Sequence, residues 1–168
     1  MMVIVFSLIF LALMLVVVWF DATRFVIPNW LNLLILLLFP VWFLLSPAPQ
    51  DIGSSLLMFA ILLGIGFVIF ALRLMGGGDV KLLTVLGLYT GFTQEALHLI
   101  IFMALAGGVL SMVVIMLRVM LRRREHKPRI FCHKEPIPYG LAIAFGFAVL
   151  VLRGSLPGFG EVSLLNFL

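Results

Sequence analysis

Charged side chains are scarce in this chain: Asp, Glu, Lys and Arg make up 11% of its 168 residues and hydrophobic ones 64%. A soluble domain carries about 25% charged and about 45–50% apolar residues. At this size much of the surface faces outward, so a fold so poor in charge has no polar exterior to offer water. A soluble fold is excluded and lipid is left as the solvent. Cysteine is nearly absent too. The single Cys132 excludes an internal disulfide framework and a Cys-x-x-Cys zinc site. No Lys or Arg precedes Asp21, so the start of the chain lacks the basic region of a cleavable signal and reads as a first transmembrane helix. Repeats and low-complexity segments are also missing, and residues 1–168 are expected to form one domain.

What is present is long apolar sequence. A span needs about 20 mainly apolar residues, and the charge-free stretches predict six. They cover Met2–Phe20, Asn29–Leu45 with a kink at Pro40, Gly53–Leu74, Asp79 to residues 91–93, Ala96–Arg118 and Tyr139–Leu152. The fourth is short. Its charge-free part rises only about 20 Å at 1.5 Å per residue, against about 30 Å of hydrocarbon, so Asp79 is expected just inside the membrane boundary. The tail from Gly154, broken by Pro157 and Gly160, is too short for a further span, and Leu164–Leu168 is expected in the interface. Gly64-x-Gly66 and Gly107-Gly108 read as helix-packing positions, and Trp19, Trp30 and Trp42, near predicted helix ends, as interfacial anchors.

Charge placement orients this bundle. Seven of the eleven Lys and Arg residues lie from Arg118 to Lys134, at the end of the fifth span and in a loop expected over residues 119–137. Arg24, Arg73 and Lys81 fall on the same side and only Arg153 on the other, which makes that side cytoplasmic and puts both termini outside the cytoplasm. Charges arranged this way report topology; they do not outline a nucleic-acid groove. The basic loop is expected to meet anionic lipid headgroups.

Asp21 and Asp79 then fall on the same side, each where a helix meets a short loop. One carboxylate at a helix end is ordinarily a solvated anchor. Two brought close together cannot both ionise and share a proton. The ionised member can deprotonate a water while its partner polarises a carbonyl, which hydrolyses an amide without metal or covalent intermediate. The pair titrates jointly, so neither residue is assigned as acid or base. Gly76-Gly77-Gly78, just before Asp79, would let the backbone approach a substrate and take positive φ, offering an edge on which an extended strand can dock.

The string Gly76-Gly77-Gly78-Asp79-Val80-Lys81 resembles the Gly-x-Gly-Asp-x-Lys motif of the type IV prepilin peptidases. Asp21, followed by Ile27-Pro28-Asn29, is similar to that family's other aspartate segment, and Ile137-Pro138-Tyr139-Gly140 to its Pro-aromatic-Gly element. The resemblance implies an all-α integral membrane protein of the cell's inner membrane that cleaves the basic leader from membrane-inserted prepilins. Asp21 and Asp79 would be the catalytic pair. Lys81 would tune the pair electrostatically or anchor the fourth helix, and Pro28, Asn29, Pro138, Tyr139 and Gly140 would shape the site. No cofactor is implied. Bifunctional members carry an extra Cys-x-x-Cys segment and methylate their product; its absence makes the chain similar to the short, peptidase-only form linked with tight-adherence (Flp-type) pili. Presenilin-like proteases share Gly-x-Gly-Asp, but their Tyr-Asp and Pro-Ala-Leu elements are missing.

Two rival readings remain. A non-enzymatic subunit of a pilus or secretion assembly would use the aspartates only for packing. A transporter would place ionisable residues mid-helix, where this sequence has none. Cys132-His133, with His126 and Glu135, makes a poor tetrahedral site, and no metal is expected there. His98 reads as interfacial.

Overall fold

The computed structural model describes residues 2–46, 51–120, 138–156 and 159. They form α1 (Met2–Arg24), α2 (Asn29–Leu45), α3 (Ile52–Ala71), α4 (Gly77–Thr90), α5 (Gln94–Met120) and α6 (Tyr139–Leu152). No strand occurs among the described residues. α1, α3 and α5 are long and apolar enough to cross a membrane, and α2 and α6 are shorter apolar helices. The six predicted segments each match one helix. The first is corrected at its end: α1 continues past Asp21 to Arg24, so Asp21 sits within a helical turn. α3 stops earlier than expected, at Ala71.

Local chemistry sets several of these boundaries. Asp51 accepts from the Gly53 and Ser54 N–H groups at 3.0 and 3.3 Å, capping the first turn of α3. Pro28 supplies the extended backbone that precedes α2. After α3, the Arg73 N–H donates to the Phe70 carbonyl at 2.9 Å and the Leu74 N–H to the Ile69 carbonyl at 3.1 Å. That closure usually takes glycine in the left-handed conformation. Here Arg73 occupies it at φ 58°, and Phe25 follows α1 at φ 55°. A side chain in that region costs about 1–2 kcal/mol.

α4 is the central element. Every residue from Asp79 to Thr90 except Lys81 is buried, and it packs against α2, α3, α5 and α6. Its approach to α3 depends on missing Cβ atoms. A methyl on Gly66 would come within 2.5 Å of the Val80 side chain, and one on Gly87 within 2.5 Å of Leu62. Gly146 does the same for α6 against α5, where a methyl would meet the Met103 nitrogen at 3.0 Å. Small residues at such crossings let helices pack without a hydrophobic drive from water. Of the glycine pairs singled out above, Gly66 and Gly107 face neighbours, whereas Gly64 and Gly108 face open space.

Aromatic rings fill the other end of the bundle. Around Tyr89 stand Phe10 at 4.9 Å, Trp42 at 5.2 Å and Phe39 at 5.5 Å between centroids, and its hydroxyl donates to the Ile35 carbonyl. Trp42 is therefore a core residue, not an interfacial anchor; Trp19 and Trp30 are exposed. The reason is helical phase: Leu31, Ile35, Phe39 and Trp42 share the buried face of α2. Phe159 is buried beside Phe10, so part of the tail returns to the core. Leu164–Leu168, Cys132, His126, His133, Glu135 and most of the 119–137 loop lie outside the described residues. His98 stacks on Phe102 and lies 3.4 Å from Glu95.

Candidate active site

The C-terminal ends of α1 and α3 and the N-terminal ends of α2, α4 and α6 meet at one end of the bundle. A helix start leaves backbone N–H groups without intrahelical partners and carries partial positive charge. Two such starts, of α4 and α6, are satisfied here by the two aspartates.

Pro138 precedes α6 and has no side-chain group to cap it. Asp21 takes over that role from the last turn of α1. Its Oδ2 accepts from the Leu141 N–H at 2.9 Å, and its carboxyl also takes a backbone hydrogen bond from Gly140. Any larger residue there would displace a neighbouring side chain. A Cβ on Gly140 would lie 2.8 Å from Asp21 Oδ2 and 2.7 Å from Ile27 Cδ1. Tyr139 and Gly140 thus form the first turn of α6, which lies against the carboxylate.

Asp79 lies in the first turn of α4. Its carboxyl turns back toward Gly76, the residue preceding the helix, where an added Cβ would lie 3.1 Å from Asp79 Oδ2. This approach matches the backward half of a capping box. The two carboxyls stand close enough to act on each other electrostatically. Both are withdrawn from water, Asp21 being 3% and Asp79 8% exposed. Two neighbouring buried carboxyls of this kind are high in energy unless they hold a proton between them. That arrangement leaves one oxygen basic and another able to donate.

The glycine triplet serves differently than expected. None of its three residues has positive φ, and Gly77 and Gly78 are already helical. Space is the reason for glycine. A Cβ on Gly78 would lie 3.1–3.3 Å from the Cβ and backbone of Ile27, and one on Gly77 3.2 Å from Phe70. The loop after α1 passes directly over the start of α4. Two side chains lock this crossing. Lys81 Nζ donates to Asn29 Oδ1 at 2.8 Å, and Asn32 Nδ2 donates to the Gly78 carbonyl at 3.3 Å. Lys81 thus links the two aspartate segments through Asn29.

A cavity of about 730 Å³ opens in front of the pair, lined by Asp21, Asp79, Gly76, Phe25, Arg73 and Tyr139 among others. The structure brings the predicted site residues to one end of the bundle: Asp21, Asp79, Gly76 and Tyr139 line the cavity, while Gly77, Gly78, Pro28, Asn29, Lys81, Pro138 and Gly140 are not among its lining residues. The sequence reading missed Phe25, Arg73 and Asn32. Asn32 lies one helical turn after Asn29, a spacing that marks a shared face. Phe25 and Arg73 gave no signal, since their backbone conformation is one that sequence assigns to glycine.

A model of the type IV leader peptidase family matches residues 8–121, more than half of the chain. The matched region holds Asp21, the glycine triplet, Asp79 and Lys81, and stops short of Pro138. No curated protein and no solved structure matches the chain.

Proposed function

The chain belongs to the type IV leader peptidase family and is a protease with several membrane-crossing helices; from that premise we propose that Asp21 and Asp79 cleave the basic leader from type IV prepilins of the Flp class at the cytoplasmic face of the inner membrane. The observation that carries this reading is a pair of buried carboxyls lining one open cavity, with Asp21 held by the Leu141 N–H at 2.9 Å. In the proposed reaction the ionised carboxylate takes a proton from a water lying between the pair. That water attacks the scissile carbonyl carbon while the protonated carboxyl donates to its oxygen. The tetrahedral diol collapses as the C–N bond breaks. One carboxyl gives its proton to the leaving amine, and a diol hydroxyl returns its proton to the other carboxylate as the new carboxyl group forms. The pair ends with the single proton it began with. Peptide hydrolysis consumes one water and needs no further co-reactant.

In this reading all six helices span the bilayer as one domain, with both termini outside. α4, at 14 residues, rises about 21 Å by 1.5 Å per residue, less than the hydrocarbon thickness, which holds the pair just below the headgroups. The substrate's own helix would stay in the bilayer and present its extended, basic start to the cavity. The basic segment after α5 would hold anionic headgroups.

The test is co-expression with a tagged Flp-type prepilin, read as a mobility shift for leader loss, beside Asp21→Asn and Asp79→Asn at matched membrane levels. Cleavage by the parent alone is the expected result. Cleavage by either variant would overturn the paired mechanism. No cleavage by the parent, with pilus assembly supported by both variants, would favour a non-enzymatic subunit.

A further inference from the structure

Two non-glycine residues among those described adopt positive φ, Phe25 at 55° and Arg73 at 58°, and both line the cavity that holds Asp21 and Asp79. They come from different helices, each from the first residues after a helix end. Neither position needs a side chain for the turn it makes: glycine would close both with less strain. Strained backbone persists where the side chain it presents is used, and such outliers gather at ligand clamps and active sites. Both side chains line the space in which the paired carboxyls would meet a substrate. The Arg73 side chain is exposed and makes no hydrogen bond or ion pair with the described residues. Its guanidinium presents a planar fork of donors with no acceptor of its own, at the rim of a cavity whose other ionisable groups among the described residues are the two carboxyls and a tyrosine. The Phe25 ring is half-buried on the same wall.

We propose that Phe25 and Arg73 form a two-point clamp that positions the substrate's extended segment over the aspartate pair. Arg73 donates to an oxygen acceptor of the substrate, a main-chain carbonyl or a carboxylate side chain, and Phe25 packs against an apolar side chain flanking the scissile bond. The inference rests on the peptidase reading above. Both are positioning residues; the chemistry stays with Asp21 and Asp79. The clamp gives the site a grip on extended chain beside Gly76, the one residue of the triplet that lies outside α4 and lines the cavity.

Glycine is the discriminating substitution, because it removes the side chain while suiting the backbone. The parent, Arg73→Gly, Arg73→Lys and Phe25→Gly are purified in detergent. Each is assayed for thermal stability and for kcat and KM on a prepilin reporter with an acidic side chain near the scissile bond. The same is done on a reporter carrying the corresponding amide. Arg73→Gly is expected to keep or raise its melting temperature while KM rises about tenfold or more, the loss of one charge-assisted hydrogen bond. Arg73→Lys should recover part of it. Phe25→Gly should show the same opposition between stability and KM. A parent that handles both reporters alike, with Arg73→Gly slowed on both, identifies a main-chain acceptor. A parent slowed by the amide reporter, with Arg73→Gly slowed no further by it, identifies a carboxylate. Glycine variants with parental KM would overturn the clamp while leaving the peptidase standing. Failure of the parent to cleave any prepilin would overturn the peptidase reading and the clamp together.

Discussion

At its C-terminal end α4 sets Tyr89 among the rings of Phe10, Phe39 and Trp42, whereas at its N-terminal end it has Gly77, Gly78 and a carboxylate. Both ends are buried and both contain polar groups that must find partners. The aromatic end solves this mostly with bulk: large rings exclude solvent. The Tyr89 hydroxyl reaches a carbonyl of α2 and the Thr90 hydroxyl the Gly87 carbonyl, while Trp42 Nε1 finds no partner among the described residues. The glycine end solves it with backbone: N–H groups at helix starts hold the carboxyls, and absent side chains leave room for a cavity. Bulk makes a region tolerant in function but expensive to empty. Missing bulk makes a region cheap in packing energy but intolerant of additions. Stability and activity should therefore separate along a single helix of 14 residues.

The sharpest division is expected from the carboxyls. Asp21→Asn or Asp79→Asn should lower leader cleavage by about 10²–10⁴-fold, the worth of general acid–base catalysis, with thermal stability preserved. An amide keeps an acceptor oxygen for the Leu141 N–H and removes a buried charge, so the fold loses little. A variant that unfolds along with losing activity would break the comparison. Trp42→Ala should do the reverse. Truncating this fully buried ring is expected to remove about 3–5 kcal/mol of stability, while the fraction still folded retains parental kcat. Chemical or thermal unfolding in detergent, beside kcat per folded enzyme, reads both. Gly140→Ala should fall between them. Its methyl would press on Ile27 Cδ1 and Asp21 Oδ2 at 2.7 and 2.8 Å, an overpacking worth about 1–3 kcal/mol. Relief by displacing Asp21 should lower kcat at least as clearly as the melting temperature.

These two ends also differ in how far the sequence discloses them. The helices, and the meeting of Asp21 with Asp79 and Pro138–Gly140 at one end, follow from where apolar runs stop. In a bilayer every backbone group must be satisfied within a helix, so hydropathy maps almost directly onto structure. Helix ends were legible where a residue acts locally, as Pro28 and Pro138 do. They were misjudged at Asp21, because a charge was taken to end a helix when its carboxylate is satisfied by the start of α6, 120 positions away in sequence. Trp42 was misread for a related reason. A tryptophan near a helix end suits an interface, but the phase that turns it toward Tyr89 depends on where α4 packs. The glycine triplet was recognised as necessary but for the wrong property. Sequence shows that a side chain is absent; only the crossing of Ile27 over Gly78 shows what that absence admits. Phe25 and Arg73 sit in a conformation for which neither residue type is a marker.

The smallest predicted effect bears on Lys81, for which an electrostatic and an anchoring role stood open. Lys81 is not among the residues lining the cavity, and its Nζ donates to Asn29 Oδ1 at 2.8 Å on the exposed side of the α2–α4 crossing. A contact exposed to water there is worth about 0.2–1 kcal/mol, so Lys81→Met and Asn29→Ala should each lower kcat less than about tenfold. The two roles differ in additivity. If Lys81 anchors α4 through Asn29, removing Asn29 first leaves Lys81 nothing to hold, and Lys81→Met adds no further loss to Asn29→Ala. If the ammonium acts on the carboxyl pair through space, its removal lowers kcat by the same factor in either background, and that factor shrinks as salt screens it. The 2.8 Å contact predicts non-additive losses that salt leaves unchanged. Additive, salt-sensitive losses would move Lys81 from the scaffold behind the site into its electrostatics, and the division between the two ends of α4 would then extend one turn further along the helix.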